Sequence, residues 1–210
     1  MTTPSERQTH FSMIRGFHLA DVFTLGNAAC GVAAVLMAMR YLISKDVGDL
    51  LVAAAFAPAA FAFDVLDGRI ARWRRTSSAL GRELDSLADV ISFGVAPAAL
   101  AFACGATGAW DALVLVYFVC CGVSRLARYN VTAETMSEES GKVKYFEGTP
   151  IPTSVLLTAV LAWAAWQGRI GDALYGGSWN VLGATLHPLM LMFALSGTLM
   201  VNKTLRIPKL

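Results

Sequence analysis

Charge is scarce in this chain of 210 residues: Asp, Glu, Lys and Arg together make up 15% of it, against 56% hydrophobic residues. A soluble domain carries about 25% charged residues, so a mean hydropathy of +0.55 points to a polytopic membrane protein instead. Four cysteines and three histidines form no CxxC pair and no Cys/His group at ligand spacing, which argues against a zinc site. Cys30, Cys104, Cys120 and Cys121 all fall in or at the ends of apolar stretches and read as packing residues. A glycine-rich phosphate loop is missing. An EF-hand is also missing, because the twelfth position counted from Asp64 is Arg75 where that loop needs a bidentate Glu. No nucleic-acid partner is expected. The segment through His18 has no short apolar core followed by a small-residue cleavage site, so the first apolar helix is expected to be retained.

What the chain does have is long apolar runs. A bilayer core needs about 20 mostly apolar helical residues per crossing, and six stretches qualify: Ala20–Ile43, Val47–Val65, Leu84–Cys104, Ala109–Leu126, Ile151–Trp166 and Trp179–Val201. The expected fold is therefore all-α, a membrane bundle of about six transmembrane helices. Residues 1–19 form an interfacial N-terminal segment, 20–202 the transmembrane domain and 203–210 a tail. Fourteen of the seventeen lysines and arginines fall before the first stretch, between the second and third, between the fourth and fifth, or after the sixth. Short loops rich in these residues stay on the cytoplasmic side, which puts both termini there. Only Arg40, Lys45 and Arg169 remain for the other face. The polar segment from Asn130 to Gly148 reads as the longest loop, ended by Pro150 and Pro152 where the fifth helix should begin.

Four aspartates break the apolar pattern. Asp64 and Asp67 are three apart and Asp85 and Asp89 four apart, so each pair shares one face of a helix. With the basic segment between them, both pairs belong at the cytoplasmic end of consecutive spans. Each intramembrane Asp costs about 2.5–3.5 kcal/mol even on a lenient insertion scale, so four cost on the order of 10 kcal/mol before mutual repulsion. Positive charge must offset this. The nearby Arg69, Arg72, Arg74, Arg75 and Arg82 are one source. Hard divalent cations, Mg²⁺ or Mn²⁺, are a more compact one because they prefer clustered carboxylate oxygens, and two ions about 3.5–4 Å apart are the usual arrangement for phosphoryl chemistry.

The spacing Asp64-x-x-Asp67-Gly68-x-x-Ala71-Arg72, eight residues, Gly81-x-x-x-Asp85-x-x-x-Asp89 resembles the signature of the CDP-alcohol phosphotransferases at all eight of its positions. The resemblance implies that Asp64, Asp67 and Asp85 ligate a pair of divalent ions. It implies that Asp89 lies near the ions and acts as general base, and that the Gly68–Ala71 region receives the cytidine diphosphate of a CDP-activated lipid. Gly68 and Ala71 lack bulk, Gly81 eases the turn into the third helix, and Arg72 carries a fixed charge for a phosphate or carboxylate.

Thr24-Leu25-Gly26-Asn27 with Gly31, the run Ser124 to Asn130, and Phe146-x-Gly148-x-Pro150-x-Pro152 are similar to the branch of that family using CDP-diacylglycerol and L-serine. Tyr129 and Thr149 depart from its usual residues. This likeness implies transfer of a phosphatidyl group to the serine hydroxyl with release of CMP, with glycerol 3-phosphate, inositol phosphate or choline as alternative acceptors. It also implies a homodimer among membrane lipids in the inner membrane of a prokaryotic cell, with the site facing the cytoplasm. Arg125 and Arg128, three apart, are candidates for the acceptor carboxylate, although positive-inside anchoring also accounts for them. Asn27 needs a partner within its apolar span, either a lipid or nucleotide phosphate or another helix. His187 before Pro188 is expected to satisfy carbonyls freed by a kink in the last span. A divalent-cation transporter is the distant rival, and it would distribute carboxylates through the membrane depth.

Overall fold

A computed structural model describes residues 19–74, 79–138, 145–202 and 206–208. Its helices are α1 (Leu19–Ser44), α2 (Val47–Arg74), α3 (Ala79–Asp89), α4 (Ala96–Ala103), α5 (Ala109–Glu138), α6 (Ser154–Trp166) and α7 (Leu191–Val201). A π-helical segment, Val90–Val95, joins α3 to α4 without a break. Among the described residues four runs are long and apolar enough to cross a membrane: Ala20–Ser44, Val47–Ile70, Leu80–Ala103 and Ala109–Val131. Ile151–Trp166 and Pro188–Val201 are shorter apolar helices. Two short antiparallel ladders supplement the helices. Strand β1 (Tyr145–Glu147) pairs with β4 (Arg206–Pro208), and β2 (Trp179–Val181) pairs with β3 (Ala184–Leu186).

Both faces of a helix in lipid are apolar, so burial is decided by residue size and polarity. On α1 the inward positions Thr24, Asn27, Gly31, Ala34, Ala38 and Tyr41 are small or polar, while Val22, Leu25, Val32, Leu36 and Met39 face outward. The small residues let α1 lie close along α2. At Gly31 an added Cβ would come within 2.5 Å of Ser92 Oγ and 2.8 Å of Ser92 Cα, so α1 and the π segment approach at a distance only glycine allows. The other main pairing is α5 with α7, where Phe118 and Phe193, both fully buried, meet edge to face at 5.1 Å.

Three expectations need correction. The polar segment from Asn130 is not a loop throughout, because α5 continues to Glu138. Its sequence there holds good helix formers (Ala133, Glu134, Met136, Glu138) and no Gly or Pro. The stretch Trp179–Val201 is not one helix. Trp179 to Leu186 is a hairpin whose turn residues Leu182 and Gly183 both have positive φ (54° and 82°), and helical structure starts only at Pro188. Finally, Gly81 sits inside the first turn of α3 rather than at a turn leading into it. The N-terminal segment through His18 lies outside the described residues, as do 203–205 and 209–210 of the tail.

Candidate metal and phosphatidyl-transfer site

Helix α2 runs on past Val65 to Arg74, which keeps Asp64 and Asp67 on a continuous helix where they face α3. Asp64, Asp67 and Asp85 each present one carboxylate oxygen, and these three oxygens lie within 4.8 Å of one another. Oxygens sharing one divalent ion at about 2.0–2.6 Å each fall within that spacing. Oδ1 of Asp85 is buried and has no hydrogen-bond partner among the described residues. A buried acceptor without a donor is costly, and a cation is the chemistry that would satisfy a carboxylate there. The residues therefore fit a divalent metal. Asp89, one turn beyond Asp85, stands outside this trio. Its Oδ1 accepts a hydrogen bond from Asn27 Nδ2 at 3.2 Å, and Asp67 Oδ2 accepts one from Thr24 Oγ1 at 2.8 Å.

The remaining expected site residues divide. Gly68 is half-buried, and a Cβ built on it meets nothing within 4 Å, so this flank of α2 is open. Ala71 and Arg72 belong to α2, but their side chains lie outside the described residues. Asn27 is wholly buried, bonded through its amide nitrogen to Asp89 while its own Oδ1 has no partner. Arg125 on α5 is 9% exposed, its Nε is unpartnered, and it lies within electrostatic reach of Asp89. Arg128 points elsewhere: its Nη1 is 3.5 Å from the carbonyl oxygen of Val201 at the end of α7. The two arginines thus have different surroundings, and only Arg125 has a buried, unpaired donor beside the acids. Asn130 donates from Nδ2 to Ser86 Oγ (3.0 Å) and Glu83 Oε1 (3.2 Å), tying α5 to α3 at this end of the bundle.

Residues 17–199 match the CDP-alcohol phosphatidyltransferase family. The chain belongs to that family. It is similar to the CDP-diacylglycerol–serine O-phosphatidyltransferase of Saccharomyces cerevisiae, with 42% identity over 205 residues covering 95% of this chain and 74% of the yeast protein. The protein of that same name from Helicobacter pylori is 33% identical over 185 residues, 87% of this chain and 68% of the relative. An archaetidylserine synthase from Methanothermobacter thermautotrophicus is 36% identical over 141 residues, 66% of this chain and 54% of the relative. The chain is accordingly an enzyme, a phosphatidyltransferase of the CDP-alcohol family with membrane helices.

In this phosphatidyltransferase the opposite end of the bundle has a separate polar pair. His187 does not sit within a kinked span. Its backbone N–H donates to Asp111 Oδ1 at 2.7 Å, and its Nδ1 lies 2.7 Å from Asp111 Oδ2. Pro188 ends the hairpin connection and starts the last helix, so it frees no mid-helix carbonyl for His187 to meet. Asp111, at the start of α5, and the acidic trio are at opposite ends of the helices, separated by an apolar core containing Phe93, Leu100 and Phe118. Asp64, Asp67 and Asp85 are grouped at one end rather than spread along the membrane depth, the arrangement the transporter reading did not predict. Thr24 stands in the motif with Asn27 but has no role of its own in the sequence reading, and Ser92 lies outside every motif. The available signal was a hydroxyl three residues before Asn27 on the same helical face.

Proposed function

We propose that the chain transfers the phosphatidyl group of CDP-diacylglycerol to the hydroxyl of L-serine, forming phosphatidylserine and CMP. The observation that carries the reading is the convergence of Asp64, Asp67 and Asp85 from two helices, with Asp89 one turn further on. Three relatives whose names specify a serine lipid support serine as the acceptor. The seryl oxygen forms a bond to the phosphorus of the diacylglycerol phosphate. The bond from that phosphorus to its bridging oxygen breaks, and CMP leaves with the electron pair. Asp89 accepts the hydroxyl proton through the oxygen that Asn27 leaves free. Asp64, Asp67 and Asp85 would hold Mg²⁺ or Mn²⁺, and a second ion would call on Asp89 as well. Divalent ions there supply positive charge for the diphosphate and the departing CMP. The open flank at Gly68 admits the nucleotide beside α2. Arg125, whose buried Nε has no partner among the described residues, offers its guanidinium to the serine carboxylate, with Arg128 a second candidate.

The distribution of lysine and arginine supports six crossings with both termini and the acidic end on the cytoplasmic side. A yeast relative at 42% identity leaves a prokaryotic inner membrane as one host among others. Association as a homodimer is part of this proposal, consistent with the apolar outward faces of α1 and α5. The test is CMP release by the purified protein with CDP-diacylglycerol, Mn²⁺ or Mg²⁺, and L-serine, glycerol 3-phosphate, inositol phosphate or choline in turn. Release with serine alone is expected, and release with another alcohol alone would replace the acceptor while keeping the chemistry.

A further inference from the structure

We infer that Thr24 and Asn27 on α1 are positioning residues for the acidic site, Thr24 orienting Asp67 for a divalent cation and Asn27 orienting Asp89 for the acceptor hydroxyl. The inference rests on the function proposed above. Both side chains are buried, Thr24 at 4% and Asn27 at 0% exposure, and they are three apart on the face of α1 turned toward α2 and α3.

The Thr24 hydroxyl has one proton and two acceptors within reach, the Ala20 carbonyl at 3.2 Å and Asp67 Oδ2 at 2.8 Å. A carboxylate is the stronger acceptor and the nearer one, so the proton goes to Asp67. That bond occupies one oxygen of Asp67 and fixes the plane of the carboxylate, leaving the other oxygen for a cation shared with Asp64 and Asp85. Asn27 does the same for Asp89. The opposite amide orientation would set two acceptors against each other, so Nδ2 is the atom facing the carboxylate. With Oδ1 of Asp89 engaged, its second oxygen is the one left to accept a proton.

The backbone of α1 is held in register for this task. Ser92 Oγ donates to the Asn27 carbonyl at 2.8 Å, and the close approach of Gly31 to Ser92 seats α1 on the π segment that begins directly after Asp89. The competing explanation is helix–helix adhesion, since buried polar side chains join transmembrane helices without any catalytic role. That explanation accounts for loss of stability on substitution. It does not account for a selective change in cation affinity.

Cation binding therefore decides the matter, measured on the detergent-purified protein without substrate by titrating Mn²⁺ and following the electron paramagnetic resonance signal of the free ion. Partners of metal ligands typically contribute 10- to 100-fold in affinity or activity. Thr24→Val, close to Thr in shape, is expected to weaken Mn²⁺ binding about 10-fold or more, and Thr24→Ser to restore it. Thr24→Ala serves for the same comparison if the valine variant is not recovered as a folded, monodisperse protein. Asn27→Ala is expected to lower kcat about 10-fold or more at saturating metal while leaving both KM values near those of the unaltered protein. Unchanged Mn²⁺ affinity in the Thr24 variants, or a fall in melting temperature as the sole effect of both substitutions, overturns the inference. If the unaltered protein itself binds no Mn²⁺, the metal site and the function built on it fall first, a result distinct from failure of the Thr24 variants alone.

Discussion

Asp89 and Asp85 differ by one helical turn and by their surroundings. Asp85 contributes an oxygen to a three-carboxylate cluster and keeps a buried oxygen without a partner among the described residues, whereas Asp89 is paired with an amide. That difference separates ligand from base in the proposed reaction. Asp89→Asn keeps the shape and can still meet Asn27 through its oxygen, but an amide cannot take up the hydroxyl proton. CMP release should fall by about 10²- to 10⁴-fold with the protein still folded and Mn²⁺ still bound, and near-normal turnover would remove Asp89 as base. The polar pair at the far end has the opposite signature. His187→Ala removes the ring partner of the buried Asp111 carboxylate, leaving it the backbone N–H groups of residues 187 and 108, a cost of roughly 1–3 kcal/mol. The expected outcome is a lower melting temperature with CMP release per folded molecule retained.

At the scale of elements, the four aspartates were legible in the sequence because i, i+3 and i, i+4 spacing survives any helix geometry. Their convergence needed only that both segments be helical and adjacent. The hairpin from Trp179 to Leu186 was not legible from hydropathy, which sees Trp, Val and Leu and ignores the backbone. Its signal was conformational: Gly183 following Leu182, with both in the left-handed region. The π segment was equally hidden, because the sequence after Asp89, apolar apart from Ser92, carries no mark of helix type. Thr24 gives only an ambiguous signal in the sequence, because a hydroxyl in an apolar span commonly bonds its own helix, whereas here the nearer acceptor is Asp67. A further element-level device is Gly148, with φ of 73°, where an added Cβ would collide with the backbone oxygen of Met200. The adjacent Thr149 N–H donates to the Leu199 carbonyl at 3.2 Å, so this glycine lets the connection into α6 lie against the end of α7. Gly148→Ala should lower the melting temperature, since the left-handed backbone alone costs roughly 1–2 kcal/mol with a Cβ present.

The whole molecule is a bundle whose members differ in reach. Ile151–Trp166 spans roughly 24 Å and Pro188–Val201 roughly 21 Å at 1.5 Å per residue, less than a hydrocarbon core of about 30 Å. Local thinning of the bilayer is one accommodation to short helices, and Trp163, Trp166 and Trp179, all exposed at the end opposite the acids, suit its interfacial belt. On the other side Trp73 is 82% exposed near the acidic end. If these two helices cross, both termini share one face. A reporter fused to the C-terminus should then be active only on the cytoplasmic side, and a signal from the opposite face would refute six crossings with that orientation.

The most direct test of the central claim follows radiolabelled L-serine into the lipid phase with purified protein and CDP-diacylglycerol, first with a chelator and then after Mn²⁺ is restored. The structure's grouping of Asp64, Asp67 and Asp85 predicts no labelled lipid under chelation, recovery on adding Mn²⁺, and no recovery in Asp85→Asn. Labelled lipid formed at full rate in the presence of chelator would contradict a metal-assisted site built from these aspartates.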